Sequence, residues 1–193
     1  MEFLAWLEHS DLAVSIKESA FLYNMPLVLH ALGMGVLVGL SAAVYLRLLG
    51  VAPRLPLAPM AQFFPLMWAG FWVNAISGVE LFALYPVRAV TNLGFYIKMA
   101  GVVLSIMILR RVKRQVFDNP ATLDTRAVPT NYKILAGTGL VLWLVTITAG
   151  RLMAYHGITG VEFKSSVAVL LGTVVMLAGY AVARLRSSEP SHV

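Results

Sequence analysis

The chain has 193 residues, of which 59% are hydrophobic and only 12% are charged, and its mean hydropathy is +0.79. These values lie outside the usual range of soluble globular domains and within that of polytopic membrane proteins. The net charge of +6 does not indicate nucleic-acid binding, because the basic residues cluster beside the ends of apolar segments, where they act as topology signals. The absence of cysteine excludes a disulfide framework, a thiolate metal site and a redox thiol.

The first segment, residues 1–18, predicts a helix that lies in the membrane interface. Phe3, Leu7 and Val14 fall roughly on one helical face, and the acidic residues lie elsewhere. The segment lacks the basic start and the small-residue cleavage site of a signal peptide. We therefore expect it to remain attached to the chain.

Five later segments are long and apolar enough to cross a hydrocarbon core, which needs about 20 helical residues. They run over Leu22 to Leu49, Phe63 to Tyr85, Asn92 to Leu109, Lys133 to Tyr155 and Ser165 to Ala183. Short loops with proline and glycine separate them. The sequence predicts an all-α fold in which residues 1–193 form one membrane domain, with five transmembrane helices and the interfacial helix.

The lysine and arginine residues predict the orientation of these spans. With the N-terminus outside and the C-terminus inside, ten basic residues fall on the inner side and five on the outer side. The strongest signal is the basic run from Arg110 to Arg114. Because inner loops are enriched in lysine and arginine, we expect a multi-pass protein of the bacterial inner membrane with a periplasmic N-terminus.

This orientation places the unusual polar residues of the spans at one depth, near the outer surface. They are His30, Glu80, Lys98, Arg151 and His156. Ionisable residues within membrane spans usually face a protein interior, so in a packed bundle these side chains can line one polar cavity, and Glu80 can pair with Lys98 or Arg151. His156, next to Gly157, is more typical of an exposed loop residue. The alternative is that Lys98 and Arg151 extend to the outer headgroups.

His30 is the most informative of these residues, because an imidazole within an apolar run requires a partner. It could bond a backbone carbonyl or a hydroxyl without further function. It could instead be an axial ligand of haem b, with Gly33 leaving room for the macrocycle and Lys98 or Arg151 neutralising the propionates. The second axial ligand would be His156 or, failing that, Met153.

Copper is the other cofactor that the sequence suggests. Imidazole and thioether ligands favour Cu(I), and His30 lies near Met25 and Met34, with His156 near Met153. Methionine at helical spacing more often packs in a core, so haem ranks first.

Several segments together resemble a family of bacterial inner-membrane proteins of unknown function. They include Glu18-Ser-Ala-Phe-Leu-Tyr-Asn-Met-Pro, His30-Ala-Leu-Gly-Met-Gly, Phe95-Tyr-Ile-Lys98 and Ala149-Gly-Arg-Leu-Met-Ala-Tyr155. The similarity covers most of the chain. It implies a fold and no particular activity.

A histidine in the first span and a lysine in a Phe-Tyr-Ile-Lys-Met context are also similar to bacterial membrane protoporphyrinogen oxidases and to copper-resistance D-type proteins. The resemblance to the oxidases implies that His30 is a haem b ligand. The third span here ends in Ile108-Leu-Arg-Arg and has no second histidine, so a partner ligand would come from His156, Met153 or another subunit.

Three functions remain as hypotheses. The first is a haem b protein that transfers electrons between the quinone pool and a periplasmic redox partner. The second is a copper-handling or copper-transport protein. The third is a cofactor-free accessory subunit of a larger membrane complex.

Overall fold

The computed structural model describes residues 1–119 and 128–153, together with Gly172. All regular structure in these residues is helical, and the long helices are α3 (Ala20–Leu48), α4 (Phe63–Leu84), α6 (Leu93–Val112) and α7 (Thr130–Leu152). These four are long and apolar enough to cross a membrane, as the hydropathy pattern predicts. The predicted fifth span, Ser165 to Ala183, lies outside the described residues.

The N-terminal segment forms two short helices, α1 (Glu2–Glu8) and α2 (Asp11–Glu18), where the sequence predicted one. The break falls at His9 and Ser10, because the Ser10 side chain caps the second helix by accepting a hydrogen bond from the Ala13 amide at 3.3 Å. Phe3 and Trp6 remain about two-thirds exposed. The segment is thus helical and keeps an unpacked apolar face.

Shorter elements connect the long helices. Leu48 ends α3, and Gly50 follows with a φ of 88°, a backbone conformation that favours glycine. A 3-10 turn, Ala58–Gln62, leads into α4, and the short helix α5 (Pro86–Val90) leads into α6. Beyond α6 the helix widens into a π-turn over Lys113–Phe117.

The four long helices form two antiparallel pairs, α3 with α4 and α6 with α7, and α3 also packs against α7. We call the end of the bundle with α1, α2 and α5 the outer end, because the distribution of basic residues predicts that it lies outside. The apolar core occupies the opposite half, around Val44, Leu48, Met67, Val112 and Trp143. The polar residues of the outer half lie outside this apolar core.

Candidate functional site

His30 is held against α4 by a reciprocal pair of hydrogen bonds. Its ring Nδ1 lies 3.0 Å from the backbone oxygen of Asn74, and the Asn74 side-chain amide donates to the backbone oxygen of His30 at 2.8 Å. A carbonyl oxygen only accepts, so Nδ1 carries the proton and Nε2 keeps its lone pair. The ring is therefore fixed in one tautomer.

The other ring nitrogen meets a lysine from a different helix. Lys98 of α6 donates from Nζ to His30 Nε2 across 3.1 Å. Within the described residues the ion pair joins Lys113 and Asp118. No described carboxylate pairs with Lys98. Glu80 lies exposed on α4, so the expected pairing of Glu80 with Lys98 or Arg151 is not present in this part of the chain.

Two glycines provide the space for these side chains. A Cβ atom at Gly78 of α4 would lie 3.1 Å from Cε1 of His30, and one at Gly150 of α7 would lie 3.3 Å from Cδ of Lys98. Any larger residue at Gly78 would press on the imidazole. These two glycines thus contact the side chains of the site.

His30 and Lys98 border a cavity of about 660 Å³ in the outer half of the bundle. The volume is typical of a small-molecule or cofactor site. The lining is mainly apolar and aromatic, and its cationic side chains are Arg88, Lys98 and Arg151. No carboxylate lines it among the described residues.

The structure brings some of the predicted site residues together and separates others. His30, Lys98, Arg151 and Met153 all line the cavity. Gly33 does not, because it packs against α4, where an added Cβ would lie 2.6 Å from the Asn74 nitrogen and 2.7 Å from the Gly70 oxygen. The slot that Gly33 was expected to leave for a macrocycle is therefore filled by backbone.

The methionines of the copper hypothesis are dispersed. Met34 packs against the apolar core, and Met25 is 40% exposed. Neither lines the cavity. The described residues contain no group of three or more histidine, cysteine or acidic side chains placed to hold a metal ion. His156 lies outside the described residues.

Asn74, Ser77 and Gly78 are the site residues that the sequence interpretation missed. Ser77 Oγ lies 3.4 Å from His30 Nδ1 and donates to the Val73 oxygen at 2.6 Å. The sequence does carry a signal for these residues. Asn74 and Ser77 are polar and lie close to Gly78 in the middle of an apolar span, and buried polar groups in a membrane helix need partners.

The fold and the cavity define a class: an all-α chain with four long apolar helices that could span a membrane, and a basic cavity among them. Comparison with known proteins gives no matching family model, no similar curated protein and no similar solved structure. Function has to be inferred from the site itself.

Proposed function

We propose that this chain is a multi-pass protein of the bacterial inner membrane that binds haem b in the outer cavity, with His30 as an axial ligand. The observation that carries the proposal is the bond from His30 Nδ1 to the Asn74 carbonyl, which leaves Nε2 as the acceptor nitrogen, beside Lys98 in the cavity lining. Histidine ligands of metals are commonly oriented in this way, by a hydrogen bond from the other ring nitrogen.

The walls of the cavity also suit a flat amphiphilic cofactor. Phe71, Phe82 and Phe95 supply aromatic surface for a macrocycle. Lys98 and Arg151 supply positive charge for two propionates. Because the Lys98 ammonium bonds Nε2, the imidazole could hold iron only with this bond broken, and a haem propionate would then offer the ammonium another partner.

The sequence suggests Met153 or His156 as the second ligand. Met153 lines the cavity, whereas His156 is a proposal from the sequence alone. Bound haem would supply a one-electron iron couple, and the function we propose for it is electron transfer between a membrane quinone and a periplasmic redox partner.

The test is the reduced-minus-oxidised visible spectrum of protein purified from haem-replete cells. We expect a Soret band in the wild type and in His9→Ala, and its loss in His30→Ala. The His9 side chain bonds its own helix and lies outside the cavity, so it is a matched control. A wild-type protein with no Soret band after purification and after titration with haemin would overturn the proposal.

The electron-transfer part needs its own measurement. A short-chain quinol should reduce the haem of the wild-type protein in detergent within seconds to minutes. If haem binds through His30 but stays oxidised in excess quinol, the protein binds haem and the proposed electron transfer with quinone is contradicted. Copper analysis of the same preparations tests the copper-handling hypothesis. That hypothesis is supported only if the wild-type protein retains Cu(I) and His30→Ala does not.

A further inference from the structure

The cavity lies between two helices that barely touch each other. Its two long walls are α4 and α6, and each of these helices packs mainly against another partner, α3 and α7 respectively. Near the outer end, Phe82 of α4 stacks on Phe95 of α6 with ring centroids 5.6 Å apart. Below this pair the two walls separate.

Below the stacked rings, side chains belong both to the cavity and to the outer surface of the bundle. Val79 of α4 lines the cavity and is 68% exposed, and Met99 of α6 lines it and is 40% exposed. They lie at similar depth, because each is about one and a half turns from the outer end of its helix. In the described residues the cavity therefore opens sideways at Val79 and Met99.

Two short helices pack at the outer end of the same cavity. Lys17 of α2 donates to the Glu8 backbone oxygen at 2.8 Å and lies 4.8 Å from the centre of the Tyr85 ring. Glu8 Oε2 accepts from the Val87 amide at 3.4 Å. These contacts tie α1 and α2 to α5, next to Tyr85 and Arg88 of the cavity lining.

We infer that the cavity takes its ligand laterally from the membrane, through the gap between α4 and α6, and that the ligand class is an amphiphile with an acidic group. Lys98 and Arg151 in the lining select the acidic group, and the apolar gap selects a membrane-dissolved body. Only the identification of that amphiphile as haem b rests on the proposed function.

A crosslink across the gap tests the route. The native chain has no cysteine, so Val79→Cys with Met99→Cys gives a unique pair for bis-maleimides of increasing length. We expect crosslinking before loading to slow ligand uptake at least tenfold, and crosslinking after loading to slow release to a similar extent. The uncrosslinked double variant is the reference, and each single variant treated with the same reagent reports the effect of added bulk. Unchanged uptake in the crosslinked protein would overturn the lateral route.

Two probes keep this test separate from the haem proposal. Haemin is followed by its Soret band, and 11-(dansylamino)undecanoic acid by its fluorescence. Binding of the fatty-acid probe without haemin contradicts haem b as the ligand and still measures the route. The methyl ester of the same probe should bind at least tenfold more weakly than the acid. Equal affinity of acid and ester, or binding of neither probe, would overturn the acidic amphiphile as the ligand class.

Discussion

Nζ of Lys98 lies 3.1 Å from Nε2 of His30, and this hydrogen bond joins a helix of the first pair to a helix of the second. Nδ1 of the imidazole donates its proton to the Asn74 carbonyl, and Nε2 carries none. The ammonium therefore bonds a neutral ring. Within the described residues no carboxylate neutralises this ammonium. The site is thus prepared to attract an anion.

Replacing Lys98 with methionine should have opposite effects on stability and on binding. Methionine has a similar shape and removes a charge that has no described carboxylate partner, so we expect the ligand-free protein to gain about 1 kcal/mol. Affinity for the dansylated fatty acid should fall about tenfold, which corresponds to about 1.4 kcal/mol. Thermal unfolding in detergent and fluorescence titration measure the two effects. Lys98→Arg keeps the charge and is the control, and stronger binding by Lys98→Met would contradict the role of the ammonium.

Gly33 and Gly35 form a matched pair on α3. An alanine at Gly33 would press on the backbone of Asn74 and Gly70, which cannot move independently of α4, so we expect a loss of about 2 kcal/mol. An added Cβ at Gly35 meets nothing within 4 Å, and Gly35→Ala should leave stability unchanged or raise it by up to about 1 kcal/mol. Unfolding in the same detergent compares the two variants. Equal stability of both would mean that α3 and α4 do not approach closely at Gly33.

The Tyr45 hydroxyl is buried and has no hydrogen-bond partner in the described part of the chain. Tyr45→Phe should therefore cost nothing, or stabilise the protein by up to about 1 kcal/mol, since an unpaired buried hydroxyl is unfavourable. Tyr96 provides the contrast, because its hydroxyl donates to the Val90 oxygen at 3.0 Å, and Tyr96→Phe should lose about 0.5–1 kcal/mol. A larger loss from Tyr45→Phe than from Tyr96→Phe would show that the buried hydroxyl has a partner.

Cysteine labelling tests the predicted orientation of the bundle. Thr91 follows α5 at the outer end, and Leu55 lies in the loop at the opposite end, and both are exposed. In intact spheroplasts a membrane-impermeant maleimide should label Thr91→Cys and should label Leu55→Cys only after permeabilisation. The reverse pattern would place His30 and Lys98 near the cytoplasmic side.

The sequence was sufficient for the helical spans and for the depth of the site. Hydropathy located α3, α4, α6 and α7, and depth grouped His30, Lys98 and Arg151, which share the cavity. Depth says nothing about rotation of a helix around its axis, and rotation decides which faces meet.

Gly33 and Glu80 show this limit. Gly33 lies about 60° around the helix from His30, which is enough to direct it at α4 and away from the cavity. Glu80 is two residues beyond Gly78, on nearly the opposite side of α4, and is exposed. The faces that α3 and α4 present to each other depend on the packing of both surfaces, which the pattern of a single helix does not contain.

The division into two helix pairs has a consequence for the order in which the protein assembles. His30 is oriented by Asn74 within the first pair, and Lys98 packs beside Gly150 within the second. The first pair is synthesised first and can form before the second pair has entered the membrane. The imidazole is then in place early, and its bond to Lys98 forms only when the two helix pairs pack together. A ligand that binds only the docked form stabilises it by mass action, so loading and final assembly are one linked equilibrium.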